Sequence, residues 1–148
     1  MPFTEELRSE TEIEASPERV WRVLTAFDEF GSWNPFIVSI EGEPKVGARL
    51  TVRLQPPGGR GATLHPTVTV SEKDRSFGWL GHLGISGVFD GAHRFDLEPL
   101  PGGGTRFVQT EHFRGALVPL LRGWLRRSTL PGFEAMNGAL AERVEAAA

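Results

Sequence analysis

The stretch Ile13-Glu14-Ala15-Ser16-Pro17-Glu18-Arg19-Val20-Trp21, with Trp33-Asn34-Pro35-Phe36 a little further on, decides how this chain is read. Ser16 can accept hydrogen bonds from the free N–H groups of a helix start. Pro17 suits the first helical position, and Glu18 favours the positive end of the helix dipole. Val20, Trp21, Val23 and Leu24 then supply an apolar face. A second short helix is expected over Asp28 to Trp33, because Pro35 disfavours helical backbone at Asn34. Upstream, the mixed alternation of Phe3 to Glu14 reads as a first strand.

Downstream, six further strands are expected at Phe36–Glu43, Ala48–Leu54, Leu64–Lys73, Ser76–His82, Val88–Leu97 and Thr105–Arg114. Turn signals separate them at Gly42–Gly47, Pro56–Gly61, Lys73-Asp74-Arg75, Gly84–Gly87 and Pro99–Gly104. Connections this short favour antiparallel pairing, since parallel strands need long crossovers. From Leu117 to the end, Leu117, Leu120, Leu121, Trp124, Leu125, Phe133, Met136, Leu140 and Val144 recur at helical spacing. Pro131 lies inside this stripe, and a kink or break is expected there. The order strand, short helices, antiparallel sheet, long helix lets a curved sheet wrap the terminal helix and leave a cavity between them.

The 148 residues fit one domain, 1–148, with a real hydrophobic core. A net charge of −3 gives no electrostatic footprint for nucleic acid. With no cysteine there are no disulfides and no thiol nucleophile or ligand, as is compatible with a cytoplasmic protein. Met1–Glu6 carries no basic segment and no apolar core, so no secretory signal is expected, and no run is long enough to span a membrane.

The residues Ile13-x-Ala15-x-Pro17-Glu18-x-Val20-Trp21, Trp33-Asn34-Pro35-Phe36, Gly91-Ala92-His93-Arg94-Phe95 and Gly104-Thr105-Arg106-Phe107 leading to Glu111 resemble those of the START-related helix-grip (SRPBCC) superfamily. Within it the pattern is most similar to the bacterial polyketide cyclase/dehydrase-like members, with a likeness to the Bet v 1 group, over nearly the whole chain. The resemblance implies an α+β helix-grip fold: a curved antiparallel sheet of seven strands around a long C-terminal helix, with two short helices after the first strand. Members of the superfamily bind lipids, sterols, hormones or aromatic polyketides, and a minority catalyse cyclisation or dehydration. A shared fold does not choose among these.

Alternation assigns faces without help from the family. Phe89, Gly91, His93, Phe95 and Leu97 share one side of their strand; Thr105, Phe107, Gln109, Glu111 and Phe113 share one side of the next. A hairpin centred near Gly102 pairs residues whose numbers add to about 204. Leu97 then meets Phe107, Phe95 meets Gln109, and His93 meets Glu111, all on the concave face. A carboxylate among aromatics needs a partner or solvent. A His93–Glu111 pair provides one, and it could also orient a ligand hydroxyl or carbonyl or act as an acid–base couple, with a structural or orienting role favoured over catalysis.

The expected site therefore has Phe77, Trp79, Phe89, Phe95, Phe107 and Phe113 as apolar wall and His93, Gln109 and Glu111 as polar contacts. Trp79 and Phe89 either line the cavity or fill it. His65, His82 and His112 are scattered, and His112 points away from Glu111, so no metal and no cofactor is expected. Pro56–Gly61 lacks the ending of a phosphate-binding loop and reads as a hairpin loop at the cavity mouth. Arg114, Arg122, Arg126 and Arg127 read as a solvated face rather than a membrane contact. The leading function is binding of a small hydrophobic partner, lipid-like or aromatic. The alternatives are an aromatase/cyclase or dehydratase using His93 and Glu111 as catalytic acid–base pair, and a protein acting through its surface.

Overall fold

The computed structural model of the chain describes residues 3–82 and 85–146. Strand β1 (Thr4–Ile13) leads into helix α1 (Pro17–Thr25), a 3-10 turn (Phe27–Glu29) and the short helix α2 (Phe30–Trp33). Ser16 caps α1 as expected, its Oγ accepting from the Arg19 N–H. Strands β2 (Ile37–Glu41), β3 (Thr51–Leu54), β4 (Ala62–Leu64), β5 (Thr67–Glu72), β6 (Ser76–His82), β7 (Asp90–Pro99) and β8 (Thr105–Arg114) follow, and α3 (Val118–Ala146) closes the chain.

Asn34 makes the bend between α2 and β2. Its buried Oδ1 accepts from the N–H groups of Phe36 and Ile37 at 3.0 and 2.9 Å. Asn34→Ala leaves both donors buried without a partner, so a loss of about 2 kcal/mol is expected in urea denaturation.

The strands form two antiparallel sheets, β1-β8-β7-β6-β5 and β2-β3-β4. Two expectations are corrected here. The single strand over Leu64–Lys73 is two strands, so the described residues form eight strands rather than seven. Pro66 is the cause: lacking an N–H, it cannot continue a ladder. The second correction follows from it. The expected single sheet is divided at this point, and backbone bonds join the halves. Leu50 N–H donates to the Pro66 carbonyl, and Val68 N–H donates to the Ala48 carbonyl. Gly84 of the expected Gly84–Gly87 turn lies outside the described residues.

Helix α3 runs unbroken through Pro131, contrary to the expected break. A proline costs a helix about 3 kcal/mol. Here the residues on both sides are anchored: Leu125 before it, and Phe133, Met136, Leu140 and Val144 after it, are buried in the core. Gly132 adds to this anchoring, since a Cβ there would collide with the Phe36 ring, which packs edge-on against Phe133. Among the described residues no helix is long and apolar enough to cross a membrane.

Candidate functional site

The β7–β8 hairpin has the register that alternation implied: His93 pairs with Glu111, Phe95 with Gln109 and Leu97 with Phe107. On this concave face His93 is buried against the rings of Trp79, Phe95 and Phe133, with centroids 5.1, 4.6 and 5.0 Å away. Both of its nitrogens are engaged. Nδ1 lies 2.9 Å from Glu111 Oε1, and Nε2 lies 3.0 Å from Gln109 Oε1.

The polar chain continues into the helix. Gln109 Nε2 donates to Asn137 Oδ1 at 2.7 Å and to the Phe133 carbonyl at 3.3 Å. Asn137 Nδ2 donates to Ser9 Oγ on β1. Burial in this chain demands such complete pairing, because an unsatisfied buried polar atom costs on the order of 1–3 kcal/mol. The sequence reading missed Asn137. Its signal was a lone amide inside the stripe Phe133, Met136, Leu140 and Val144.

A cavity of about 240 Å³ opens beside this chain, between β3–β4, the ends of β6, β7 and β8, and the first half of α3. Trp79, Phe89, His93, Glu111 and Phe113 line it. Phe77, Phe95, Phe107 and Gln109 do not. They face the same side of the sheet but are buried deeper in the core. There Gln109 is bonded to the second half of α3, and the rings of Phe77, Phe95 and Phe107 stack on one another. The rim comes from segments whose tertiary position alternation cannot give: Leu54, Pro56, Arg60, Leu64 and His65 from one side, Trp124 and Thr129 from α3. The Pro56–Gly61 loop thus contributes to the mouth, as read.

Gly91 matters for shape. A Cβ there would lie 2.9 Å from Glu111 Oε2, so the missing side chain makes room for the carboxylate at the cavity wall. Oε2 accepts no hydrogen bond from any described residue; Oε1 alone is used by His93.

Two of the histidines read as scattered, His65 and His82, reach the rim. His82 Nδ1 lies 2.6 Å from Asp90 Oδ1. The hydrogen bond with His82, aided by the Gly87 N–H and opposed by desolvation, holds the Asp90 carboxyl below its ordinary 3.8. A depressed carboxylate stabilises the fold above its unfolded value, and this is lost as pH falls through the folded one. Asp90→Asn is therefore expected to lower Tm relative to wild type near neutral pH, with the difference closing in thermal melts as pH falls below the ordinary carboxylate value. His112 faces outward, 3.2 Å from Glu6. Of the basic patch, Arg122 and Arg126 both approach Glu5, at 3.8 and 3.0 Å, which neutralises part of that face.

Comparison with known proteins extends this picture. A family model described as polyketide cyclase / dehydrase and lipid transport matches residues 4–146. No curated protein sequence matches. Among solved structures, the di-domain aromatase/cyclase BexL superposes with TM-score 0.80 at 14% identity, over 98% of this chain and 51% of that one. The chain thus spans about half of BexL. A Thermus thermophilus protein gives 0.76 at 22%, over 97% and 99% of the two chains. The Zhui aromatase/cyclase of a Streptomyces species gives 0.77 at 17%, over 96% and 94%. At these identities the likeness is one of fold. The family match covers nearly all of the chain, which therefore belongs to the polyketide cyclase/dehydrase and lipid transport family.

Proposed function

We propose that the protein binds a compact hydrophobic molecule in the cavity between sheet and helix. The observation that carries this reading is an open, mostly apolar hollow of about 240 Å³ with one nearly buried carboxylate in its wall. Trp79, Phe89, Phe113, Leu54 and Leu64 supply apolar contact, and Glu111, held by His93, supplies orientation. Phe77, Phe95, Phe107 and Gln109 act from behind, by holding that wall in place. The volume lies below the roughly 300–1,000 Å³ of sites for drug-sized ligands, which favours one or two rings over a long chain. The absence of cysteine suits a cytoplasmic setting for this role.

A second reading is an aromatase/cyclase or dehydratase step. It is favoured by the 2.9 Å His93–Glu111 contact and by the place of Glu111 in the cavity wall, with a second oxygen to which no described residue donates. Glu111 would then take a proton from a carbon beside a carbonyl, with His93 holding the carboxylate in place. The enclosed space suits only the reacting end of a poly-carbonyl chain.

Native mass spectrometry of the protein as purified, followed by extraction of whatever is released on denaturation, tests the binding reading. A co-purifying small hydrophobic molecule is expected. Failure to detect one, together with no binding across a panel of one- and two-ring compounds, would overturn it. Turnover of a bound carbonyl compound that is lost in Glu111→Gln would favour the second reading.

A further inference from the structure

We propose that the cavity selects ligands that donate a hydrogen bond, such as an alcohol, a phenol or an N–H, over ligands that can only accept one. This rests on the binding reading above and adds a chemical class to it. The positions of the protons follow from a backbone atom. The Phe133 carbonyl can only accept, so the Gln109 group 3.3 Å from it must be the NH2. The same NH2 then meets the Asn137 oxygen at 2.7 Å, and Asn137 turns its own NH2 to Ser9. Flipping either amide would set donor against donor or acceptor against acceptor.

The Gln109 oxygen is thereby committed to His93 Nε2, 3.0 Å away, and that nitrogen must carry a hydrogen. The remaining proton lies between His93 Nδ1 and Glu111 Oε1, 2.9 Å apart. On Nδ1 it makes an imidazolium–carboxylate pair; on Oε1 it makes a neutral imidazole and a carboxylic acid. Both arrangements are neutral overall, as a pair with side chains only 3% and 12% exposed requires. Placing it on Oε2 instead would leave two acceptors facing each other at 2.9 Å. In every permitted arrangement, then, Glu111 Oε2 is an acceptor, and it is the oxygen in the space left open by Gly91, which lines the cavity. A ligand hydroxyl or N–H placed there is satisfied. A ligand carbonyl placed there is repelled and leaves both oxygens unpaired.

Gln109 and Asn137 are positioning residues in this scheme. They touch no ligand but fix which nitrogen of His93 is protonated, and so fix the polarity that Glu111 presents.

The test is calorimetric titration of the full chain with 1-indanol, 1-indanone and indane, which share a bicyclic skeleton and differ at one group. The alcohol is expected to bind roughly 10- to 100-fold more tightly than the ketone. In Glu111→Leu the preference should fall to about one while indane still binds. In Glu111→Gln, which keeps an oxygen toward the cavity by donating its amide N–H to Nδ1, the alcohol should still lead. Equal or tighter binding of the ketone, with indane bound, would overturn the selectivity alone. Binding of none of the three would overturn the binding reading beneath it. Independently of any ligand, long-range 1H–15N spectra should show a protonated His93 Nε2; a bare Nε2 contradicts the proton inventory. Gln109→Leu, which removes the oxygen that Nε2 faces, should move His93 toward the Nδ1–H tautomer.

Discussion

His93→Leu is expected to destabilise the protein by about 3 kcal/mol, a large share of the 5–15 kcal/mol typical of a folded domain. Leucine fills much of the space among Trp79, Phe95 and Phe133, so lost volume is the smaller part of the cost. The larger part is polar. Gln109 Oε1, fully buried, loses its one donor among the described residues, and Glu111 loses the partner that lets a carboxylate sit among rings. Removing one member of a buried pair costs about 3–5 kcal/mol; the lower figure applies because Glu111 can take water from the cavity. The double variant His93→Leu with Glu111→Leu removes the stranded carboxylate as well. It is expected to recover part of the loss rather than add to it. Urea denaturation of the two variants reads this directly. A double variant less stable than the single one would mean that Glu111 is held by something other than His93.

The second large effect is on binding. Gly91→Val is expected to weaken compact hydrophobic ligands by about 100-fold, or ~2.7 kcal/mol. The new Cβ would sit 2.9 Å from Glu111 Oε2 and 3.6 Å from the Phe113 ring, and its methyl groups would occupy the space the ligand needs. The carboxylate would also be turned from the direction in which it accepts. Stability should change by only about 1 kcal/mol, because a β-branched residue suits a strand and the loss of glycine reduces the freedom of the unfolded chain, against the crowding it introduces. A variant that folds and no longer binds ties the ligand to this cavity. The same variant separates the surface-acting alternative, since a protein partner docked on the outside should bind Gly91→Val as well as wild type.

How far the sequence could be read depended on the kind of constraint. The His93–Glu111 contact was legible because two local rules determine it. Glycines at positive φ, Gly102 and Gly103, fix the hairpin turn, and alternation fixes the faces. Depth along the concave face was not legible. Phe95, Phe107 and Gln109 share that face with His93 and Glu111, yet Gln109 is bonded to the second half of α3, whereas the first half stands off and leaves Gly91, Glu111 and Phe113 open. Where a helix lies across a sheet is a tertiary fact that no strand period encodes. The same holds for Pro131. Its local preference is to end a helix, and it is overruled by the buried residues on both sides of it. At Pro66 the local rule prevailed instead: the missing N–H divides one expected strand into two and hands the chain from one sheet to the other.

The central claim is that the hollow bounded by Trp79, Glu111, Phe113 and Trp124 is where a small hydrophobic molecule binds. The most direct test is NMR of isotopically labelled protein titrated with 1-indanol, following the indole signals of all four tryptophans and measuring intermolecular NOEs. NOEs from the ligand to Trp79 and Phe113 are expected, with shifts at the Trp79 and Trp124 indoles and little change at Trp21 and Trp33. Contacts instead with the surface cleft formed by Arg22, Val23, Ala26, Trp33 and Arg143, leaving Trp79 unmoved, would contradict it.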